Sequence, residues 1–322
     1  MRPATLCLAM LVAVAIPAGS ATAQTFPAKP ITIVVPASPG GAIDLAARLI
    51  GQKLTEAWGQ GVVIENKTGA TGVVGTEFVA KAAPDGHTLA LVASSHAINP
   101  SMMKKLPYDT VKGFEPVVLT HVVPLMLVVN NGLPAKTVKE LAAYGKANPG
   151  KLSFASSGSG GAPHFSGELF KTMAGLDMIH VPYKGSTLAH PDLLSGRVSL
   201  MFDTVAAINP QVKAGKVRAL AVTTAKRASV APDVPTMAEA GFPDYQTSTW
   251  GGVLAPAGTP KAVVDKLNAE MNKALAAADV RQKLADAGIE VGGGTPKAFA
   301  DFIASEMVKW ARVAKGAGIE PE

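Results

Sequence analysis

The run Val34-Val35-Pro36-Ala37-Ser38-Pro39-Gly40-Gly41-Ala42-Ile43-Asp44 constrains the fold more than any other part of the chain. It reads as a buried strand, a loop of proline and glycine, and the first turn of a helix. Ile43, Ala46, Ala47, Ile50 and Leu54 then recur at helical spacing, while Asp44, Arg48 and Lys53 fall on other faces. Gly40 and Gly41 let the backbone turn tightly and leave its N–H groups uncovered. Free N–H groups at the positive end of a helix dipole attract anions. Leu152-Ser153-Phe154-Ala155-Ser156, followed by Ser157-Gly158-Ser159-Gly160-Gly161-Ala162-Pro163-His164, repeats the design. Two such helix starts, far apart in sequence, predict two lobes gripping one anion.

Strand and helix patterns alternate along the rest of the chain. Residues 31–35, 62–65, 88–93, 152–155, 198–202 and 217–222 read as short buried strands. Helical spacing appears around 42–57, 72–82, 137–147, 164–174 and 187–195. Thr259-Pro260 and Thr295-Pro296 each look like an N-cap followed by proline at the first helical position. In the second of those helices Phe299, Ile303, Met307, Trp310 and Ala314 form a core stripe. Alternation of this kind predicts an α/β architecture with largely parallel sheets. A chain of 322 residues exceeds what one core usually handles, so two lobes are expected. Residues 117–129 and 217–224 are β-rich runs long enough to pass between lobes. The expected division is lobe 1 from 24–124 and 224–322, with lobe 2 from 125–223. Two crossover strands make a hinge.

Residues 1–23 carry one charge, Arg2, and an almost continuous apolar run from Leu6 to Ile16. Ala21-Thr22-Ala23 fits a small-x-small cleavage site before Gln24, so a secretory signal peptide is expected. Cys7 is the only cysteine and lies within it, which leaves the exported chain without disulfides. The formal charge is +6, with lysines scattered rather than massed. Aromatics make up only 5% of the chain, which argues against a nucleic-acid surface.

Enzyme readings find little support. Ser157 and Ser159 do not sit in Gly-x-Ser-x-Gly, because Ala155 and Ser157 occupy the required glycine positions. His164 follows Ser159 closely, but no assigned acid orients it, and a helix histidine bonded locally is preferred. Histidines 87, 96, 121, 164, 180 and 190 show no ligand spacing, so no metal is expected. Gly40-Gly41 lacks the three-glycine dinucleotide fingerprint, and no cofactor is expected. Tyr183 and Lys184 follow Pro182 and either reach the cleft or serve as packing and a solvated side chain, the second being preferred.

Several segments together resemble one family. These are Pro30 to Pro36 running into Pro39-Gly40-Gly41 and Asp44; Val63-Ile64-Glu65-Asn66 with Gly69-Ala70; and Pro84-Asp85-Gly86-His87-Thr88-Leu89. Ala155-Ser156-Ser157-Gly158 with His164, and His180-Val181-Pro182-Tyr183-Lys184-Gly185, follow in the same order. Pro235-Thr236 with Glu239-Ala240-Gly241, and Trp250 with Ala255 to Pro260, complete the set. The chain resembles the extracytoplasmic solute receptors of tripartite tricarboxylate transporters, the Bug family. The resemblance implies a two-lobe periplasmic-binding-protein type II fold. It also implies capture of a small carboxylate by backbone N–H groups, hydroxyls and water rather than by arginine. By position, Ser38, Gly40, Gly41 and Ala42 are the expected contacts from the first lobe, and Ser157, Gly158, Ser159 and Gly160 those from the second. Asp203 either accepts from a ligand or caps the following turn. Relatives often carry a bulky aromatic where this chain has Ala37, which leaves the size of the ligand open between a C4 acid and a longer or aromatic one. The expected protein is a periplasmic monomer that passes its ligand to the membrane subunits of a transporter. A ligand sensor that signals by the same closure stays open as the alternative.

Overall fold

The structure is a computed structural model that describes residues 26–321; the expected signal peptide lies outside them. In chain order the first elements are β1 (Ile31–Val35), α1 (Ala42–Trp58), β2 (Val62–Asn66), α2 (Val73–Ala80), β3 (Thr88–Ala93), α3 (Ser95–Ile98) and β4 (Phe114–Asn130). Then come α4 (Val138–Ala147), β5 (Leu152–Ser156), α5 (Ala162–Ala174), β6 (Met178–Pro182), α6 (Ser186–Ser195), β7 (Leu200–Thr204), α7 (Val205–Lys213) and β8 (Val217–Val222). The last are β9 (Ser248–Pro256), α8 (Lys261–Ala276), α9 (Ala278–Asp286), β10 (Glu290–Val291) and α10 (Pro296–Gly316).

Side-chain alternation gives each sheet two apolar faces. Ile31, Ile33 and Val35 of β1 pack with Ile43, Ile50 and Leu54 of α1 and with Leu267 and Met271 of α8. Val34, Ala90 and Val92 point the other way, into a cluster with Val79, Phe299 and Trp310. In the second group, Leu127, Phe154, Leu200 and Phe202 meet Leu141 and Phe170, while Met126, Val128 and Met201 meet Leu193 and Ile208. Each sheet is therefore covered by helices on both faces. The sheets are mixed rather than largely parallel as expected, because the long strand β4 and its partner β9 run against their neighbours.

Strand direction places the site. β1 pairs in parallel with β2 and β3, and Val35 lies beside Asn66. β9 runs antiparallel to β3 and β4, so Ser248 and Pro124 lie at the carboxyl end of β1–β3. From Leu125 onward β4 changes partners to β7 and β8. β5, β6 and β7 are parallel to one another, and Thr204 of β7 lies opposite Leu125. The carboxyl ends of both parallel groups thus face the crossover, where open α/β sheets bind ligands.

The return differs from the expected boundary at 224. Ala228 and Ala231 pack against Met126 and Val128, and Met237 and Tyr245 against Leu127 and Phe202. Val222 donates its N–H to Pro235, and Met237 donates back to Val222, so this irregular stretch extends the edge of β8. The chain leaves the second group only at β9. Thr223 ties the crossing segments together: its hydroxyl donates to the Thr247 carbonyl at 2.7 Å and accepts from the Leu125 N–H at 3.2 Å.

Two local expectations also shift. The strand expected at 198–202 is β7, two residues later. Thr295 caps α10 by accepting from the Ala298 N–H, but Thr259 does not cap α8. Its hydroxyl is used within the turn after β9, donating to the Pro256 carbonyl at 2.7 Å.

Candidate functional site

The two glycine-rich loops superimpose in design. Gly40 (φ +89°) and Gly160 (φ +77°) each take a left-handed conformation that other residues adopt only with strain. The next glycines, Gly41 and Gly161, are the extended N-caps of α1 and α5, and neither helix has a side-chain cap. The first N–H groups of both helices therefore have no partner within the helix. Ser38, Gly41 and Ser159 are exposed, and Ala42 and Ser157 are half-buried. These residues, among those expected, keep donors free for an anion.

Three expected contacts are otherwise engaged. The Gly40 N–H donates to Asp44 Oδ2 at 3.0 Å, and the Gly160 N–H to His164 Nδ1 at 3.2 Å. The Gly158 N–H donates to Ser156 Oγ at 3.3 Å. These glycines shape their loops, because a tight turn aims its N–H inward at the nearest side-chain acceptor. Asp203 is corrected as well. It is 1% exposed, takes Ser186 Oγ and His190 Nε2 on Oδ2, and takes its neighbour Thr204 N–H on Oδ1. These three bonds come from within the second group of strands and the side chain is buried, which favours the turn-capping alternative.

Asp44, which helical periodicity placed away from the core face, fastens the first loop. It is buried, and besides Gly40 it accepts from Arg48 Nε at 2.9 Å, Arg48 Nη2 at 3.1 Å and Asn66 Nδ2 at 3.0 Å. Burial opposes its ionisation, but the hydrogen bonds from Arg48, Gly40 and Asn66 prevail and hold its carboxyl below the usual range. Asn66 Nδ2 also lies 3.0 Å from the Ala37 carbonyl, joining the end of β2 to the loop. An acid at the third helical position reaching back to the chain before the helix resembles half of a capping box, and that spacing was the available signal. Arg48 is committed to Asp44, so neither loop presents an unpaired guanidinium.

Beneath the second loop, His164 and His180 stack with ring centroids 3.9 Å apart. Burial lowers them to about 3 and about 4 respectively, so both are neutral at physiological pH. His180 Nε2 lies 2.7 Å from Ser156 Oγ, which donates to the Gly158 carbonyl. Tyr183 donates to Asp192 at 2.7 Å and is pushed up to about 12 by burial and that bond; Lys184 is exposed.

A third loop meets the same edge. Gly69, Ala70, Thr71 and Gly72 follow β2 with φ of 133°, 45°, 53° and 90°, and Asn99 Nδ2 donates to the Thr71 carbonyl at 3.3 Å. Positive φ at Ala70 and Thr71 is strain of the kind concentrated at ligand sites. Met102 approaches from the first group, with its Cε 3.7 Å from where a Cβ on Gly160 would lie. A cavity of about 880 Å³ lies elsewhere, between the starts of α8 and α10. Its lysines, Lys261 and Lys297, pair with Asp265 and Asp301 on their own helices. Among the described residues no cluster of metal-ligating side chains occurs, and no helix is long and apolar enough to cross a membrane.

The chain and its fold are similar to those of known proteins. The sequence profile of the tripartite tricarboxylate transporter family receptors, TctC, matches residues 46–319. The chain belongs to this family. It is 42% identical over 306 residues to the UPF0065 protein of the tcbD–tcbE intergenic region of Pseudomonas sp. strain P51, covering 94% of this chain and 91% of that one. The structure is similar to that of R. palustris Rpa4515 with adipate, with TM-score 0.80, 39% identity, and coverage of 92% of this chain and 100% of that one. It is also similar to MatC from Rhodopseudomonas palustris with bound malate, with TM-score 0.76, 36% identity, and coverage of 89% and 99%. This TctC receptor therefore has the two-lobe α/β periplasmic-binding-protein fold that the sequence led us to expect.

Proposed function

We propose that this receptor captures a small carboxylate between two lobes and delivers it to the membrane subunits of a tripartite transporter. Lobe 1 comprises residues 26–124 and 248–321, and lobe 2 residues 125–247. The reading is carried by one observation: two uncapped glycine-rich helix starts, of the same design, at strand ends that face the same crossover. Ser38, Gly41 and Ala42 bind from one side, and Ser157, Ser159 and the first turn of α5 from the other. Converging N–H and hydroxyl donors suit a carboxylate, since hydrogen bonds to ionised groups are stronger than neutral ones. No bond of the ligand is made or broken, and the protein acts as a monomer. Residues 1–23 direct export and are removed before Gln24, placing the receptor in the periplasm.

Ala37 contributes only a methyl group and packs against the core of β1 and α1, and a similar receptor structure carries adipate, so adipate is the first ligand to try. A thermal-shift screen of mono- and dicarboxylates against residues 24–322 tests the reading. Saturation at about a hundred times Kd adds ~2.7 kcal/mol to the stability of the folded state, which raises Tm by several degrees. A panel of carboxylates that leaves Tm unchanged at millimolar concentration contradicts the proposal.

A further inference from the structure

The two loops differ at one matched position. Gly40 and Gly160 each precede an N-cap glycine, and each donates its N–H to the side chain four residues on. In the first loop that acceptor is the Asp44 carboxylate, whose charge Arg48 balances. In the second it is His164 Nδ1, which can accept only while it carries no proton. The proton of the neutral ring therefore sits on Nε2, which lies 3.9 Å from Glu168 Oε1. His164 is 6% exposed and stacks on His180, whose Nε2 meets the Ser156 hydroxyl that fastens Gly158. One imidazole stack thus fastens the loop at both ends. Glu168 and Lys171 on α5 and His180 on β6 are the titratable groups that face the ring.

We propose that His164 is a positioning residue for ligand binding. Its neutral Nδ1 holds the Gly160 N–H inward and leaves the other donors of the second loop free for an anion. Neutrality matters as much as the acceptor. A carboxylate here would lack the balancing arginine that Asp44 has, and its charge would cancel the field of α5 that draws the ligand. The acceptor alone maintains loop shape; an uncharged acceptor maintains loop shape and affinity.

Replacement by Asn, Asp and Leu separates the two demands. An Asn Oδ1 can stand near the place of Nδ1, an Asp Oδ1 adds charge, and Leu removes the acceptor. Two readouts on the mature protein are needed: hydrogen exchange of the Gly160 amide by NMR, and calorimetric titration with adipate as the probe. The Gly160 amide should be protected in wild type, His164→Asn and His164→Asp, and should exchange freely in His164→Leu. Adipate affinity should stay within about threefold of wild type in His164→Asn and fall roughly tenfold or more in both His164→Asp and His164→Leu. Equal affinity in His164→Asp and His164→Asn would overturn the electrostatic half, and a protected Gly160 in His164→Leu would overturn the positioning half. Imidazole ¹⁵N spectra of the wild type need no variant: a proton on Nδ1 refutes the proposal. The affinity arm rests on the carboxylate reading. If adipate does not bind wild type, that reading fails for this ligand while the exchange and tautomer results still decide the role of His164.

Discussion

Replacing Asp44 by Ala should damage both the fold and the site, in amounts that the geometry sets. The side chain is 3% exposed and accepts hydrogen bonds from Gly40, Asn66 and two nitrogens of Arg48 at 2.9–3.1 Å. The Arg48 side chain is 52% exposed, so solvent screens that pair and it adds at most ~1 kcal/mol. The bonds from Gly40 and Asn66 are better shielded, and each hydrogen bond to a charged group is worth ~1.5–3 kcal/mol. Gly40 itself is exposed and can turn to water, which recovers part of its share. A net loss of ~2–4 kcal/mol follows, or a fall in Tm of roughly 4–16 °C at ~2–4 °C per kcal/mol. The pKa of Asp44 is depressed in the folded state, so its contribution is present above the ordinary value of 3.8 and disappears as pH falls below it. Differential scanning calorimetry at pH 7 and pH 3 measures both quantities. The wild-type advantage over Asp44→Ala should be full at pH 7 and reduced at pH 3. An Asp44→Ala variant with wild-type Tm at pH 7 would show that the carboxylate does not hold the loop.

Ser157→Ala should weaken adipate binding by about ten- to a hundredfold, the value of one hydrogen bond to a charged group, with little change in ligand-free Tm; unchanged affinity by calorimetry would remove Ser157 from the site. Glu306 Oε2 accepts from both Trp250 Nε1 (3.0 Å) and Trp310 Nε1 (2.9 Å). Glu306→Leu should therefore strand two buried indole N–H groups and cost ~2–6 kcal/mol, visible in urea unfolding, while a loss below ~1 kcal/mol would refute that arrangement. Burial lowers His96 and His121 to about 4, below their ordinary 6.5, so the unfolded chain binds more protons between those values. Stability is then full above about pH 6.5 and falls by ~1.4 kcal/mol per pH unit per histidine toward pH 4. His96→Gln, which can still donate to the Thr110 carbonyl, should flatten that slope in pH-dependent calorimetry, and an unchanged slope would contradict the burial argument.

The parts of the molecule legible in the sequence are those where one local rule decides. β1 could be read because Ile31 to Val35 is apolar throughout, and α1 because its apolar spacing is unbroken up to Leu54 and Gly59 stops it in a left-handed conformation. Thr295 was legible because a threonine before a proline suits an N-cap, whereas Thr259 before Pro260 has the same local signature and serves the preceding turn instead. Illegible features depend on partners distant in sequence. Asp44 looked like a surface acid until Asn66, twenty-two positions on, and Arg48 closed over it. Asp203 looked available at a strand end, yet it is buried and Ser186 and His190 from α6 hold its Oδ2. The late return of the chain at β9 was hidden because residues 228–245 have no period. Met237 and Tyr245 are held by individual contacts rather than by a helix or strand face. The histidine stack required knowing that β6 lies beside β5, which brings His180 against His164.

A crystal structure of residues 24–322 grown with adipate tests the central claim most directly. One carboxylate should lie within 2.7–3.2 Å of backbone N–H or hydroxyl donors from both loops: Ser38, Gly41 or Ala42 on one side, and Ser157, Ser159 or Ala162 on the other. Gly40 and Gly160 should still donate to Asp44 and His164. Adipate bound with full occupancy to one loop alone, or in the cavity between α8 and α10, would contradict the two-lobe grip.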